Sequence, residues 1–168
     1  EDVVEKIGTD VLRFLMLTRK NDMIFDFDLN RAIEQSKDNP VFYVQYAHAR
    51  ICSVFRKAES HDISSFSLDN LHYLTDKVEL DIIKQIMFFP EMISNAAINL
   101  EPHRVSYYLH DLAAKFHSYW NLGKNSDLKF LSDNKQEQEA RLILLNSIRH
   151  VIATGLKIFN VKPLVEMR

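Results

Sequence analysis

Three glycines in 168 residues leave this chain few places to turn sharply or to bring two backbones close together. Ordinary usage is about 7 %. Turn-rich β architectures and phosphate-cradling loops both need more glycine than this, and only four prolines accompany the three glycines. The expected class is therefore all-α. Hydrophobic residues make up 46 % and charged residues 26 %, which supplies enough apolar surface for one packed domain and excludes a disordered polymer.

Local signals divide the chain into helices. Gly8-Thr9-Asp10 reads as a helix stop followed by a new N-cap, and Val11, Leu12, Phe14, Leu15, Met16 and Leu17 then give an apolar helix to about Lys20. Met23 to Asp28 alternates apolar and acidic residues toward its end and is expected to be extended, with Asp28 capping a helix from Leu29 to Lys37. Asn39-Pro40 is the clearest boundary, because Asn is a good N-cap and Pro suits a first turn where its missing N–H is not needed. The helix that follows, to about Ala58, repeats Val44, Ala47, Ile51, Val54 and Ala58 at 3, 4, 3, 4 spacing as one buried seam. His61 to Asn70 reads as a loop. Asp76 with Glu79 resembles a capping box, opening a helix that Pro90 should kink or restart. Pro102 opens another through Val105, Leu109, Leu112, Ala113, Phe116 and Trp120. Asn121 to Lys135 reads as a loop, and a last helix runs from about Gln136 to Phe159 with Gly155 as a weak interior point.

Catalytic and metal chemistry find little support. The single Cys52 excludes an internal disulfide and a thiolate zinc site, and it fits a reducing setting. His103, His110 and His117 share one helix face, but seven residues rise about 10.5 Å, too far for one ion to gather all three. They read as partly exposed helix histidines. Asp26 and Asp28 read as a solvated edge and a helix cap. There is no HExxH, GxSxG, P-loop or GxGxxG pattern. No export signal or membrane-spanning run is present.

Charge and aromatic residues are more informative. Residues 41–60 hold three basic against one acidic side chain and residues 103–168 hold ten against six, whereas residues 1–40 hold six against nine and 61–102 two against seven. The two positive stretches also carry Tyr43, Tyr46 and Arg50, and Tyr107, Tyr108, Tyr119 and Trp120. Aromatic faces interleaved with cations are what unstacked bases and phosphates require. Half-buried tyrosines at helix–helix contacts give the same pattern, so both readings stand at this level.

The run from Asp38-Asn39-Pro40 through Tyr43-Val44-Gln45-Tyr46-Ala47-His48-Ala49-Arg50-Ile51 resembles arginyl-tRNA synthetases. Three further stretches resemble that family in the right order: Gly8-Thr9-Asp10-Val11-Leu12-Arg13-Phe14, then Pro102-His103-Arg104 to Phe116, and the tail Val165-Glu166-Met167-Arg168. The family's HIGH-type motif and KMSKS-type loop are both absent. The resemblance therefore implies the C-terminal portion alone: residues 1–38 the end of a catalytic body or a connecting segment, and 39–168 the helical, DALR-type anticodon-binding domain. It implies a class I synthetase bundle that binds the anticodon loop of arginine tRNA, with attention to its central cytosine. Bases would stack on Tyr43, Tyr46 and the Tyr119-Trp120 pair and present their edges to Arg50, while Met167 closes the pocket. Where relatives usually have Phe-Tyr this chain has Tyr119-Trp120, and Arg168 follows Met167 where the family typically ends on Met. ATP and Mg would belong to the full-length ligase and none to this portion, which should be inactive alone. A cytoplasmic monomer that binds neither DNA nor membrane is expected. The alternative is a helical protein–protein module, and a positive groove between the helices from Pro40 and Pro102 would favour RNA over it.

Overall fold

The computed structural model describes residues 2–20, 23, 28–34, 39–58, 65–125 and 128–167. Seven α-helices follow one another among the described residues: α1 (Asp2–Ile7), α2 (Thr9–Leu17), α3 (Leu29–Ile33), α4 (Pro40–Lys57), α5 (Lys77–Ile98), α6 (His103–Asn125) and α7 (Lys135–Ile158), with a 3₁₀ helix at Leu68–Tyr73. α6 and α7 pack on each other, and each packs on both α4 and α5. The three short N-terminal helices pack together, and α2 rests on α4 and α6.

The caps explain the boundaries. The Asn39 side chain accepts a bond from the Val41 amide at 3.3 Å and donates to the Ala32 carbonyl at 3.0 Å, so one residue opens α4 and ties it to α3. At α5 the capping box is complete: Asp76 Oδ1 accepts from the Val78 amide at 2.9 Å, and Glu79 Oε2 accepts from the Asp76 amide at 3.2 Å. Asn134 opens α7 by accepting from the amides of Gln136 and Glu137. The α4 seam is buried as its spacing requires, with Val44, Ala47 and Ile51 sealed from water.

Several boundaries differ from the sequence reading. Gly8, at φ +79°, is the N-cap of α2, and the Asp10 carboxylate accepts from the distant Lys162 amide at 2.9 Å. α2 ends at Leu17, short of Lys20. α5 passes through Pro90 as one helix. The proline removes one amide donor and costs about 3 kcal/mol in a helix interior, which packing against α6 and α7 offsets. α6 continues to Asn125, and Phe130 beyond it fills a gap beside Phe116, Tyr119 and Trp120. The expected helix after Asp28 is described as far as Ile33; Gln35, Ser36 and Lys37, the stretch Ile24 to Phe27 expected to be extended, with Asp26, and His61 lie outside the described residues.

Glycine scarcity reappears at the helix ends. Leu100 (φ +56°) and Asn160 (φ +52°) take the left-handed conformation in which glycine ordinarily terminates a helix. In both turns the next amide closes back on the last helical turn, Glu101 to the Ala96 carbonyl at 2.8 Å and Val161 to the Leu156 carbonyl at 2.9 Å. Gly155 serves packing instead: a Cβ there would stand 2.6 Å from Leu109 Cδ2 on α6.

Candidate nucleic-acid interface

α4, α6 and the C-terminal tail enclose a cleft of about 370 Å³, lined by Tyr46, Ala49, Arg50, Ser53, Arg56, Trp120, Glu166 and Met167. Arg50 is its centre. Its guanidinium lies 4.1 Å from the Tyr46 ring centroid and 5.1 Å from that of Trp120, a pair of contacts that holds a cation by the negative faces of both rings. Nη2 donates to the Tyr46 hydroxyl at 2.8 Å, and Nη1 donates to Nδ1 of His117 at 3.2 Å. A guanidinium has five N–H groups, and bonds to the described residues use two of them. Tyr46 is 41 % exposed, and its ring forms an accessible face at the rim.

Tyr43 lies one turn before Tyr46, half-buried between His110 and His117 at ring distances of 5.0 and 4.6 Å. Burial pushes its hydroxyl above the usual tyrosine range, against a smaller opposite pull from Arg50. It adjoins the cleft without lining it. Trp120 Nε1 is buried with no hydrogen-bond partner among the described residues.

Tyr119 does not belong with these residues. Its side chain is 0 % exposed and its hydroxyl donates to Glu79 Oε1 at 2.6 Å, so no base can reach the ring. Arg141 Nε donates to the same carboxylate oxygen at 3.2 Å, and its Nη1 to the Lys129 carbonyl at 2.9 Å. Burial first, then the Glu79 carboxylate, raises the Tyr119 hydroxyl far above its ordinary range. Tyr119 is a structural hub joining α5, α6 and α7. Tyr108 is likewise buried, donating to the Gln85 carbonyl at 2.6 Å.

The tail reaches the cleft because α4 holds it by its main chain. Gln45 Nε2 donates to the Lys162 carbonyl at 2.9 Å and Arg56 Nη1 to the Val165 carbonyl at 3.0 Å. Between them His48 Nδ1 stands 2.7 Å from the Leu164 carbonyl, and a carbonyl can only accept, so this nitrogen carries the proton. Burial lowers the His48 pKa; the bond to Leu164 opposes that pull and Arg149 adds to it. These three bonds place Glu166 and Met167 along one wall of the cleft.

Residues 44–167 match the family model described as the DALR anticodon binding domain. The chain belongs to this family. Over 99 % of its length this DALR chain is 48 % identical to the arginine–tRNA ligase of Parvibaculum lavamentivorans, of which it covers 30 %. It spans about 30 % of the length of the curated relatives it matches. The arginyl-tRNA synthetase of Thermus thermophilus superposes with a TM-score of 0.79 at 28 % identity, over 96 % of this chain and 27 % of that one. The synthetase of Plasmodium falciparum, at 20 % identity and a TM-score of 0.81, covers 99 % of this chain and 28 % of its own and shares the fold.

Of the residues expected to hold bases, the structure brings Tyr46, Arg50, Trp120 and Met167 to one cleft of the DALR domain, sets Tyr43 beside it and buries Tyr119 in the core. The sequence reading passed over Arg56 and Glu166 on the cleft walls, and His117 and His48 behind them. His103 and His117 are buried, not partly exposed. A signal for His117 existed: it lies three residues before Trp120, on the same face of α6.

Proposed function

We propose that the cleft receives unstacked bases of the anticodon loop of arginine tRNA, and that the chain is the C-terminal anticodon-binding part of an arginine–tRNA ligase. Residues 39–168 form that domain and residues 1–38 the end of the catalytic body or its connection. ATP and Mg act in the catalytic body of the longer protein, which charges tRNA in the cytoplasm as a monomer. The observation that carries the reading is Arg50, set against Tyr46 and Trp120 in the cleft with only two of its five N–H donors spent on the described residues. A planar array of donors suits a base edge, and the rings beside it suit a base face. Arg50 and Arg56 against the single carboxylate of Glu166 leave the cleft wall net cationic, which favours RNA over an apolar protein partner. No described helix is long and apolar enough to cross a membrane.

Binding of arginine tRNA, compared with the same tRNA carrying a replaced anticodon cytosine, tests the proposal. The native tRNA should bind more tightly, and its affinity should fall as salt rises. Tyr46→Ala should weaken it by about 1–3 kcal/mol, the value of one base stacked on an aromatic ring. Equal affinity for the two tRNAs would overturn the anticodon reading.

A further inference from the structure

The hydrogen bonds around His117 fix its protonation state by geometry. A guanidinium has no acceptor, so the contact between Arg50 Nη1 and His117 Nδ1 at 3.2 Å requires a lone pair on Nδ1. Nε2 faces the Tyr43 carbonyl at 3.2 Å and must donate. Only the neutral ring with its proton on Nε2 satisfies both. The ring cannot rotate to a better fit, because it is 7 % exposed and packed against Tyr43, Tyr46 and Phe116 at centroid distances of 4.6, 5.7 and 5.5 Å.

We propose that His117 is the positioning residue for Arg50, and that it presents the guanidinium to the anticodon loop only while its imidazole is neutral. A proton on Nδ1 would set an N–H against the N–H of Arg50 and place two cations in contact. The acceptor would be lost, and Arg50 would be driven off its seat between Tyr46 and Trp120. Among the described residues, the charged and titratable groups around His117 are Arg50, Tyr43 and Tyr46 on α4 and His110 on α6, and Glu166 of the tail lines the same cleft as Arg50. Burial holds the His117 pKa below the ordinary histidine value; the Tyr43 bond opposes this, and the charges of Arg50 and His110 reinforce it. At neutral pH the seat is therefore occupied, and acid empties it.

The inference rests on the anticodon reading for its consequence, though not for its geometry, and the test separates the two. The probes are an arginine anticodon stem-loop and the same stem-loop with its anticodon cytosine replaced by uracil. Acid adds positive charge at every histidine and so raises affinity for any RNA, but the ratio of the two affinities cancels that gain. For the unaltered chain the ratio should fall by about tenfold between about pH 8 and a pH below the His117 midpoint read by NMR, the worth of one bond to a charged group. His117→Asn, whose Oδ1 takes the place of Nδ1 without titrating, should keep the ratio high and level across that range. His117→Leu should hold it low throughout. A level ratio in the unaltered chain, or full discrimination in His117→Leu, overturns the proposal. Absence of discrimination at every pH would sink the anticodon reading instead, and an RNA-free measurement then decides: the His117 ring proton, followed by NMR, should titrate at higher pH in Arg50→Met. No such displacement would mean that the two side chains do not interact, and the positioning role would be abandoned.

Discussion

Leu100 stands at φ +56° with 76 % of its surface in water. For an L-residue with a side chain, this conformation costs roughly 1–2 kcal/mol through the approach of Cβ to the carbonyl. The exposed side chain recovers little of that by burial. Leu100→Gly should therefore stabilise the domain by about 1 kcal/mol, although glycine's freer unfolded chain takes back part of the gain; a thermal melt below that of the parent would refute the strain. Asn160, in the same conformation, has a residue type that tolerates it. Leu100 could not be found from residue type, since leucine carries no turn signal, whereas asparagine just past a helix is one. Tyr119 shows the opposite failure. Leu109, Leu112, Phe116 and Tyr119 follow at 3, 4, 3 spacing and are all sealed from water, so the periodicity needed to exclude Tyr119 was present. Grouping it by chemical kind with Trp120 obscured that pattern.

At the scale of elements, one carboxylate carries an unusual share of the joinery. Glu79 closes the cap of α5 and accepts from Tyr119 of α6 and Arg141 of α7. Arg141→Met would leave Glu79 without its buried counter-charge and should cost about 3–5 kcal/mol. Tyr119→Phe removes a single neutral donor and should cost about 1–3 kcal/mol. Urea unfolding measures both. The second variant should bind RNA like the parent under conditions where it is folded, and a loss comparable to that of Tyr46→Ala would return Tyr119 to the site. The capping box was legible because Asp76 and Glu79 are three residues apart. The ion pair was not, because Glu79 and Arg141 are separated by 62 positions. The expectation that Pro90 kinks or restarts the helix rests on local cost alone; α5 does not restart there but runs through as one helix.

For the molecule as a whole, two buried histidines set a limit on the acid side. His48 and His117 both have pKa values held below the ordinary histidine value of about 6.5. Between the lowered folded values and about 6.5, the unfolded chain binds more protons than the folded one, so stability rises with pH across that window. Going down, stability begins to be lost as pH passes below about 6.5 and continues to fall until the folded values are passed. Each group contributes at most about 1.4 kcal/mol per pH unit. Urea midpoints at pH values on either side of 6.5 should show this loss, and midpoints indifferent to pH would contradict it. Helical class and most of the helices followed from glycine count and apolar spacing. The cleft required α4, α6 and the tail to meet, and the contacts that assemble it join residues 67 to 117 positions apart, beyond the reach of any local pattern.

The strap along α4 is gripped at the carbonyls of Lys162, Leu164 and Val165. Main-chain oxygens are the same whatever residue bears them. The path of the tail is thus written in Gln45, His48 and Arg56, while the side chains at 162, 164 and 165 are left free to drift. What the strap cannot absorb is a change of length: one residue inserted before Leu164 would put each later carbonyl out of step with its donor and turn the wall of the cleft away from Arg50.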